Sequence, residues 1–125
     1  MTMLDLALTI DARAVREARH ALDRFQREIA PAAFHDLKLL VSELVTNSIR
    51  HGRLSPQDSL SLLIDVKRER VRVEVADCGV GFDARRPTPS LIGGWGLLLV
   101  SRISNRWGVE RRPDETRVWF EIDQG

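Results

Sequence analysis

Residues 37–52, "LKLLVSELVTNSIRHG", predict an amphipathic helix with one face in a hydrophobic core. Glu43 and Asn47 are four residues apart, so their side chains lie one above the other along the border of the apolar face. A carboxylate and an amide at such a border lose water on folding and therefore require polar partners. The pair is a candidate functional site. The apolar residues that recur at helical spacing are Leu37, Leu40, Val41, Leu44, Val45 and Ile49.

The residues before this helix predict a strand and a first helix. Alternation over residues 4–10 indicates a half-buried strand, with Leu4, Leu6, Leu8 and Ile10 on one face. Asp11 is a suitable N-cap for the first helix. Pro31 ends that helix and suits the first turn of the next one, which stops near His51 and Gly52. The apolar positions of the first helix are Val15, Ala18, Leu22, Phe25 and Ile29.

The second half of the chain predicts two hairpins and a third helix. Residues 60–66 and 71–75 alternate in polarity and are joined by the charged turn "KRER". The stretch "DCGVGFD" ends the second of these strands, and a helix is expected from about Gly94 to Asn105. Strands at residues 107–111 and 116–122 follow, with a turn at Pro113 and Asp114. The residues of the third helix that are available for packing are Leu97, Leu98, Val100 and Ile103.

This order of elements predicts the fold class. Two hairpins exclude the strict alternation of a doubly wound parallel sheet. We therefore expect an α/β (α+β) two-layer sandwich, in which three helices cover one face of a mixed, mostly antiparallel sheet. No internal boundary is visible, so residues 1–125 are expected to form a single domain. The tryptophans at 95, 107 and 119 are expected in the core or half-buried.

Composition narrows the classes of partner and compartment. The chain has 19 basic and 18 acidic residues, so its net charge of +1 gives no reason to expect nucleic acid or an anionic membrane as a partner. The sequence shows neither a signal peptide nor an apolar run of membrane-spanning length. The single cysteine, Cys78, excludes an internal disulfide and fits a reducing compartment, so a cytoplasmic protein is expected. The three histidines lack metal-ligand spacing.

Glycines and polar residues at the ends of elements suit a nucleotide. Gly93, Gly94 and Gly96 precede a helix, and glycines let backbone N–H groups approach phosphate oxygens at a helix N-terminus. Asp77 could accept a hydrogen bond from the exocyclic amine of adenine. The side-chain oxygen of Asn47 suits Mg²⁺, and Glu43 one turn away could accept a proton from an attacking hydroxyl or water.

Four ordered motifs resemble those of the GHKL ATPase superfamily, and within it the anti-sigma factor serine/threonine kinases of partner-switching systems. "ELVTNSIRHG" resembles the N box, "DCGVGFD" and "GGWGLLLVSRISNRWGV" the two glycine boxes, and "ETRVWFEI" the closing strand. The resemblance implies ATP and Mg²⁺ as ligands. It implies that Glu43 is the catalytic base, Asn47 the Mg²⁺ ligand and Asp77 the adenine contact. By the same resemblance, Gly79 and Gly81 shape the base pocket, Gly94 and Gly96 hold phosphates, and Thr116 supports the adenine contact.

The resemblance implies an anti-sigma factor that also phosphorylates a serine of an anti-anti-sigma (STAS-type) protein. Kinase members can carry a basic residue beside the second glycine box, whereas residues 92–95 here have none, and Arg85 or Arg86 could substitute. The alternative is therefore a non-catalytic ATP-binding module that captures a protein partner. The catalytic part of a histidine kinase is disfavoured, because no dimerisation helix with a phospho-accepting histidine precedes the domain.

The first helix is the expected docking surface for a sigma factor or its antagonist, by the family analogy, and a solvated face is the alternative. Its outward charges are Arg13, Arg16, Glu17, Arg19, Asp23 and Arg24. A homodimer is possible, and the sequence shows no face that would form it.

Overall fold

The computed structural model describes residues 2–51, 54, 55, 57–78 and 95–125 of the chain. The elements in chain order are β1 (Thr2–Ala7), α1 (Arg13–Asp23), α2 (Pro31–His51), β2 (Ser59–Val66), β3 (Arg70–Cys78), α3 (Trp95–Ile103), β4 (Arg106–Arg112) and β5 (Glu115–Asp123). This is the predicted order, and the expected sandwich of one sheet and three helices is confirmed. In the part of the chain so described, no helix is long and apolar enough to cross a membrane.

The five strands form one sheet in the order β1-β2-β3-β5-β4. The sheet was expected to be mixed, but every neighbouring pair among these strands is antiparallel. The connections explain this result. Two helices lie between β1 and β2 and bring the chain back to the end of the sheet where β1 ends, so β2 runs antiparallel to β1. The single helix between β3 and β4 makes β4 run in the direction of β3, but β5 lies between them.

One face of the sheet packs against the helices, and α2 is the central element of that layer. It contacts α1, α3, β3 and β5. Alternate residues of the strands point toward it, as period-two patterning requires. The buried residues of this inner face are Leu60, Leu62, Ile64, Val66, Val71, Val73, Val75, Val118, Phe120 and Ile122.

Helix α1 is shorter than predicted. The apolar residues keep their helical spacing beyond its end, but the chain there forms a series of tight turns. The helix ends at Asp23, and the following backbone bonds span three residues, from Phe25 N–H to the Leu22 carbonyl and from Glu28 N–H to the Phe25 carbonyl. Hydrogen bonds of this span form turns that are tighter than those of an α-helix. Phe25 and Ile29 remain buried in this segment.

Three local expectations were wrong. The residue that caps α1 is Ala12, one later than predicted, although the Asp11 carboxylate still accepts a bond from Arg13 N–H at 2.8 Å. Leu98 is 38% exposed, because it lies on a side of the short α3 that no described element covers. Trp107 is 41% exposed, because β4 is an edge strand. Trp119 is half-buried, as predicted, and the side chain of Trp95 lies outside the described residues.

Gln124 ties two turns together at the end of the sheet opposite Cys78. Its Oε1 accepts a hydrogen bond from Ala30 N–H at 2.8 Å, and its Nε2 donates to the Lys67 carbonyl at 2.9 Å. Its backbone N–H donates to the Glu69 carbonyl at 3.0 Å. The connection between α1 and α2 is thereby fastened to the turn between β2 and β3.

The outer face, which is the face of the sheet away from the helices, carries a ladder of ion pairs. Arg117 bonds Glu74 at 2.7 Å, and Arg72 bonds Glu74 at 3.0 Å and Glu121 at 3.3 Å. Arg106 bonds Glu121 at 2.7 Å. The charges of this face are therefore largely neutralised within the chain.

A tryptophan lies flat within this ladder. The Arg72 guanidinium stands 4.1 Å from the centre of the Trp119 ring, which is cation–π distance. On the neighbouring strand, a Cβ at Gly108 would lie 2.6 Å from Trp119 Nε1. Only glycine leaves room for the ring at this position.

Candidate functional site

Asp77 and Thr116 face each other where β3 and β5 meet at one end of the sheet. They are direct partners in the register, and Leu60 of β2 lies on the other side of Asp77. Both follow the alternation of the inner face, so their side chains lie on the side of the helices. Asp77 is 7% exposed and Thr116 is 2% exposed, which makes them two of the few buried polar residues.

The Asp77 carboxylate lacks a full set of partners. Its Oδ2 atom is buried and has no hydrogen-bond donor among the described residues. The pKa of Asp77 is raised to about 6. Burial is the largest cause, and the nearby negative charges of Asp58 and Glu115 add to it. Native proteins seldom leave a buried acceptor unpaired. A ligand that brings an N–H group to this atom would complete the site.

Glu43 and Asn47 both lie half-buried on α2, the helix that contacts β3 and β5. Asn47 Nδ2 is buried and has no acceptor in the part of the chain that the structure describes. In the described parts of the chain, Glu43 has neither a hydrogen-bond partner nor an ion-pair partner. The neighbouring Ser48 differs from both, because its buried hydroxyl donates to the Leu44 carbonyl at 3.0 Å. The Ser48 hydroxyl therefore has its hydrogen-bond partner within the helix, whereas Glu43 and Asn47 Nδ2 have none among the described residues.

The unpartnered Nδ2 donor of Asn47 fits a phosphate oxygen, and the side-chain oxygen beside it could bind a cation held by that phosphate. An asparagine side chain offers one oxygen acceptor and two N–H donors. The oxygen suits Mg²⁺, and the N–H groups suit a phosphate oxygen. Among the described residues, no group of three or more His, Cys, Asp and Glu side chains could hold a metal ion on its own.

Most of the predicted glycine cradle lies outside the described residues. This applies to Gly79, Gly81, Gly93 and Gly94, and also to Arg85 and Arg86. Gly96 lies in the first turn of α3, which begins at Trp95.

Sequence reasoning missed the two acidic neighbours of Asp77. Asp58 immediately precedes β2, and Glu115 is the first residue of β5. Their backbone positions are close because antiparallel pairing brings the start of β2, the end of β3 and the start of β5 to one end of the sheet. The predicted hairpin of β2 and β3 contained this signal for Asp58, since its turn fixes which strand ends meet. No hairpin joins β3 to β5, so the position of Glu115 could not be read from the sequence.

Comparison with known proteins identifies relatives of the chain. A family model described as a histidine kinase-like ATPase domain matches residues 8–122. A serine-protein kinase RsbW of Listeria innocua is 28% identical over 103 residues, covering 71% of this chain and 60% of the relative. An anti-sigma F factor of Clostridium beijerinckii is 35% identical over 69 residues, covering 53% of this chain and 48% of the relative. The chain thus spans about half to three-fifths of the length of these relatives.

Two solved structures share the fold. The structure of the RsbU and RsbW domains of Rv1364c from Mycobacterium tuberculosis matches with a TM-score of 0.75 and 18% identity, over 99% of this chain and 33% of that one. The catalytic domain of histidine kinase ThkA matches with a TM-score of 0.54 and 14% identity, over 99% of this chain and 98% of that one. At these identities the likeness concerns the fold alone.

Proposed function

The chain belongs to the family of histidine kinase-like ATPase domains, and from that premise we propose that residues 1–125 form a single domain that binds ATP with Mg²⁺ and regulates a sigma factor. The observation that carries the proposal is the buried Asp77 carboxylate, which lies opposite Thr116 with one oxygen unpartnered. This oxygen would accept a hydrogen bond from the exocyclic amine of adenine. Thr116 would support that contact from β5.

The remaining ligand contacts follow the motifs. Gly79 and Gly81 would shape the base pocket. Gly93, Gly94 and Gly96 would present backbone N–H groups to the phosphates at the N-terminus of α3, where the helix dipole favours negative charge. Asn47 would hold Mg²⁺ through its side-chain oxygen, and the bound cation would neutralise charge on the phosphates. The Nδ2 atom of Asn47, which is buried without an acceptor among the described residues, would donate to a phosphate oxygen beside that cation.

The proposed reaction is phosphorylation of a serine on an anti-anti-sigma protein. Glu43 would accept the proton of that serine hydroxyl, and a carboxylate without an internal partner is free to do so. RsbW of Listeria innocua, a relative at 28% identity, is named a serine-protein kinase, and the Clostridium beijerinckii relative an anti-sigma F factor. These names support the proposed pair of activities, anti-sigma binding and serine phosphorylation.

The second candidate is a module that binds ATP and a protein partner without transferring phosphate. Residues 92–95 favour it, because they contain no basic side chain. A cation near the transferred phosphate can contribute several orders of magnitude to the rate of phosphoryl transfer.

Thermal unfolding with ATP and Mg²⁺ tests the nucleotide site. ATP at a hundredfold over its Kd should stabilise the fold by about 2.7 kcal/mol. Asp77→Asn should weaken ATP binding. Asp65→Asn is a matched control, because Asp65 also has a buried, unpartnered carboxylate oxygen but lies on the outer face. An unchanged melting temperature in millimolar ATP and Mg²⁺, or equal loss of ATP affinity in both variants, would contradict the proposed site.

Transfer of labelled phosphate from ATP to a purified antagonist separates the two candidates. Glu43→Ala should retain ATP and lose transfer, whereas Asn47→Ala should lose Mg²⁺-dependent affinity. ATP binding without transfer by the unaltered chain would favour the non-catalytic module.

A further inference from the structure

Three carboxylates meet at the end of the sheet that carries the candidate site. Asp77 is the last residue but one of β3, Asp58 immediately precedes β2, and Glu115 begins β5. The register places Leu60 and Thr116 on either side of Asp77, so the starts of β2 and β5 flank its backbone. Asp77 is the buried member, and its Oδ2 atom has no donor among the described residues. A carboxylate in this position responds strongly to neighbouring charge, because little water screens it.

The two neighbours of Asp77 differ in what else they hold. The Asp58 carboxylate accepts a hydrogen bond from Ser55 N–H at 2.6 Å, so it also fastens the loop before β2. Glu115 Oε1 accepts its bond from the side chain of Arg117 at 2.8 Å, two residues along the same strand. Glu115→Gln keeps an oxygen for that bond and removes the charge. The effect of Glu115 on Asp77 can therefore be tested without disturbing the loop.

Arg117 fixes the Glu115 carboxylate but does not fully cancel its charge. The same guanidinium donates to Glu74 Oε1 at 2.7 Å, so two carboxylates share this cation. The Glu115 side chain is half-buried, which limits screening by solvent. Burial is the largest cause of the raised pKa of Asp77, and the charges of Asp58 and Glu115 raise it further. Glu115 is thus a fixed charge that acts on Asp77 without touching it.

We propose that Glu115 is a positioning residue of the nucleotide site: held by Arg117, its charge acts on Asp77 and sets the acidity at which Asp77 stops accepting the amine of adenine. An ionised carboxylate is a stronger hydrogen-bond acceptor than a neutral one. Protonation of Asp77 therefore weakens nucleotide binding, and Glu115 moves that protonation toward neutral pH. On the helical side, α2 packs against β3 and β5 and brings the half-buried carboxylate of Glu43. The inference rests on the proposed function, because it takes Asp77 as the adenine contact.

The test is calorimetry with ATP and Mg²⁺ on the full chain, repeated between pH 5 and 8. In the unaltered chain, ATP affinity should fall as the pH drops through about 6, where Asp77 takes up its proton. In Glu115→Gln this fall should move to lower pH by about half a unit, because a like charge beside a buried carboxylate has been removed. The phosphates of ATP titrate alike with every variant, so the difference between variants reports on the protein.

Glu121→Gln is the matched control. Glu121 lies on the same strand and the same face as Glu115 and is also bonded by an arginine, Arg106, at 2.7 Å. Its register partner is Arg72, near the other end of β3, so its loss should leave the pH profile of ATP affinity unmoved. Asp77→Asn removes the titrating group. Adding Glu115→Gln to Asp77→Asn should then cause no further shift of the profile.

An NMR titration of the Asp77 carboxyl carbon in the ligand-free protein measures its pKa independently of nucleotide. A lower pKa of Asp77 in Glu115→Gln, together with the shifted ATP profile, supports the role of Glu115. An equal pKa in Glu115→Gln and the unaltered chain, or an equal shift in Glu121→Gln, overturns it. A lower pKa with an unmoved ATP profile also overturns it and leaves the nucleotide site standing. Failure of the unaltered chain to bind ATP at any pH contradicts the proposed function and the inference with it.

Discussion

Asp77 is a residue whose charge destabilises the fold that contains it. Burial and the charges of Asp58 and Glu115 raise its pKa from 3.8 to about 6. The folded chain therefore binds a proton more tightly than the unfolded chain between these two values. The contribution of Asp77 to stability is fully present below pH 3.8 and is lost as the pH rises through about 6. At neutral pH the ionised carboxylate lowers the free energy of unfolding, and a hydrogen bond from a nucleotide amine could offset this loss.

We predict that Asp77→Asn makes the ligand-free protein more stable at pH 7.5. A shift from 3.8 to about 6 corresponds to at most about 3 kcal/mol. Part of this gain will be lost, because the new amide also requires partners. Urea unfolding between pH 5 and 7.5 measures the difference, which should shrink as the pH falls below 6. A variant less stable than the parent at pH 7.5 would contradict this view of the site.

At the same scale, the sequence could indicate individual polar residues but not the residues that lie beside them in space. Asn47 and Asp77 were predicted from spacing and strand ends, and both have an unpartnered buried atom in the structure. Asp58 and Glu115 were missed, since their effect on Asp77 arises only when three strands meet. The exposure of Leu98 and Trp107 was also missed, because it depends on which elements pack beside them in the folded chain.

At the scale of elements, α1 and the outer face of the sheet are both rich in arginine but differ in how those charges are satisfied. Arg117 of β5 bonds Glu74 at 2.7 Å and Glu115 at 2.8 Å. Arg19 of α1 has no such partner among the described residues. Composition alone cannot distinguish the two cases, because pairing depends on the cross-strand register. The outer face pairs its charges within the sheet. On α1, Arg13, Glu17 and Asp23 have partners, whereas Arg16 and Arg19 have no carboxylate partner among the described residues.

The contrast predicts unequal effects of the same substitution. Arg117→Met should destabilise the fold by about 1–3 kcal/mol, because Glu115 loses its bond to Arg117 and the half-buried Glu74 keeps only its bond to Arg72. Arg19→Met should change stability by no more than about 0.5 kcal/mol, since an exposed unpaired side chain is removed. Urea unfolding of both variants at pH 7 gives the comparison. Similar losses in the two would mean that Arg19 has a structural role.

Element boundaries were predicted to within a few residues wherever hydrophobic periodicity was strong. Helix α2 begins at Pro31 and ends at His51, close to the expected limits. The end of α1 was predicted about six residues too late, because the turns after Asp23 keep Phe25 and Ile29 buried. A pattern of burial does not by itself distinguish an α-helix from a series of tight turns.

At the scale of the whole molecule, Gln124 joins segments that are remote in the sequence. Its side chain bonds Ala30 and Lys67, which belong to different layers of the sandwich. No local pattern predicted this role, because a single glutamine near the end of a strand gives no signal of its partners. The helical layer and the sheet layer are thus connected by hydrogen bonds as well as by apolar packing.

We predict that Gln124→Ala destabilises the protein by about 1–3 kcal/mol, because partly buried backbone groups lose their partners. Hydrogen exchange at the Ala30 amide should accelerate more than exchange at amides in the middle of β3. Gln124→Glu keeps the acceptor for Ala30 N–H and loses the donor to Lys67, so its Ala30 amide should exchange more slowly than that of Gln124→Ala. Unchanged exchange at Ala30 in both variants would exclude the fastening role.

The strand order has a consequence for how the protein is made. β5 is the last strand of the sheet to leave the ribosome, yet it lies between β3 and β4. It carries Phe120, one of the largest fully buried side chains, and Thr116 of the candidate site. Until β5 is synthesised, β3 and β4 have no strand between them and the core lacks this ring. The nascent chain therefore cannot complete its fold during translation of the helices, and the candidate site forms only after β5 has been released.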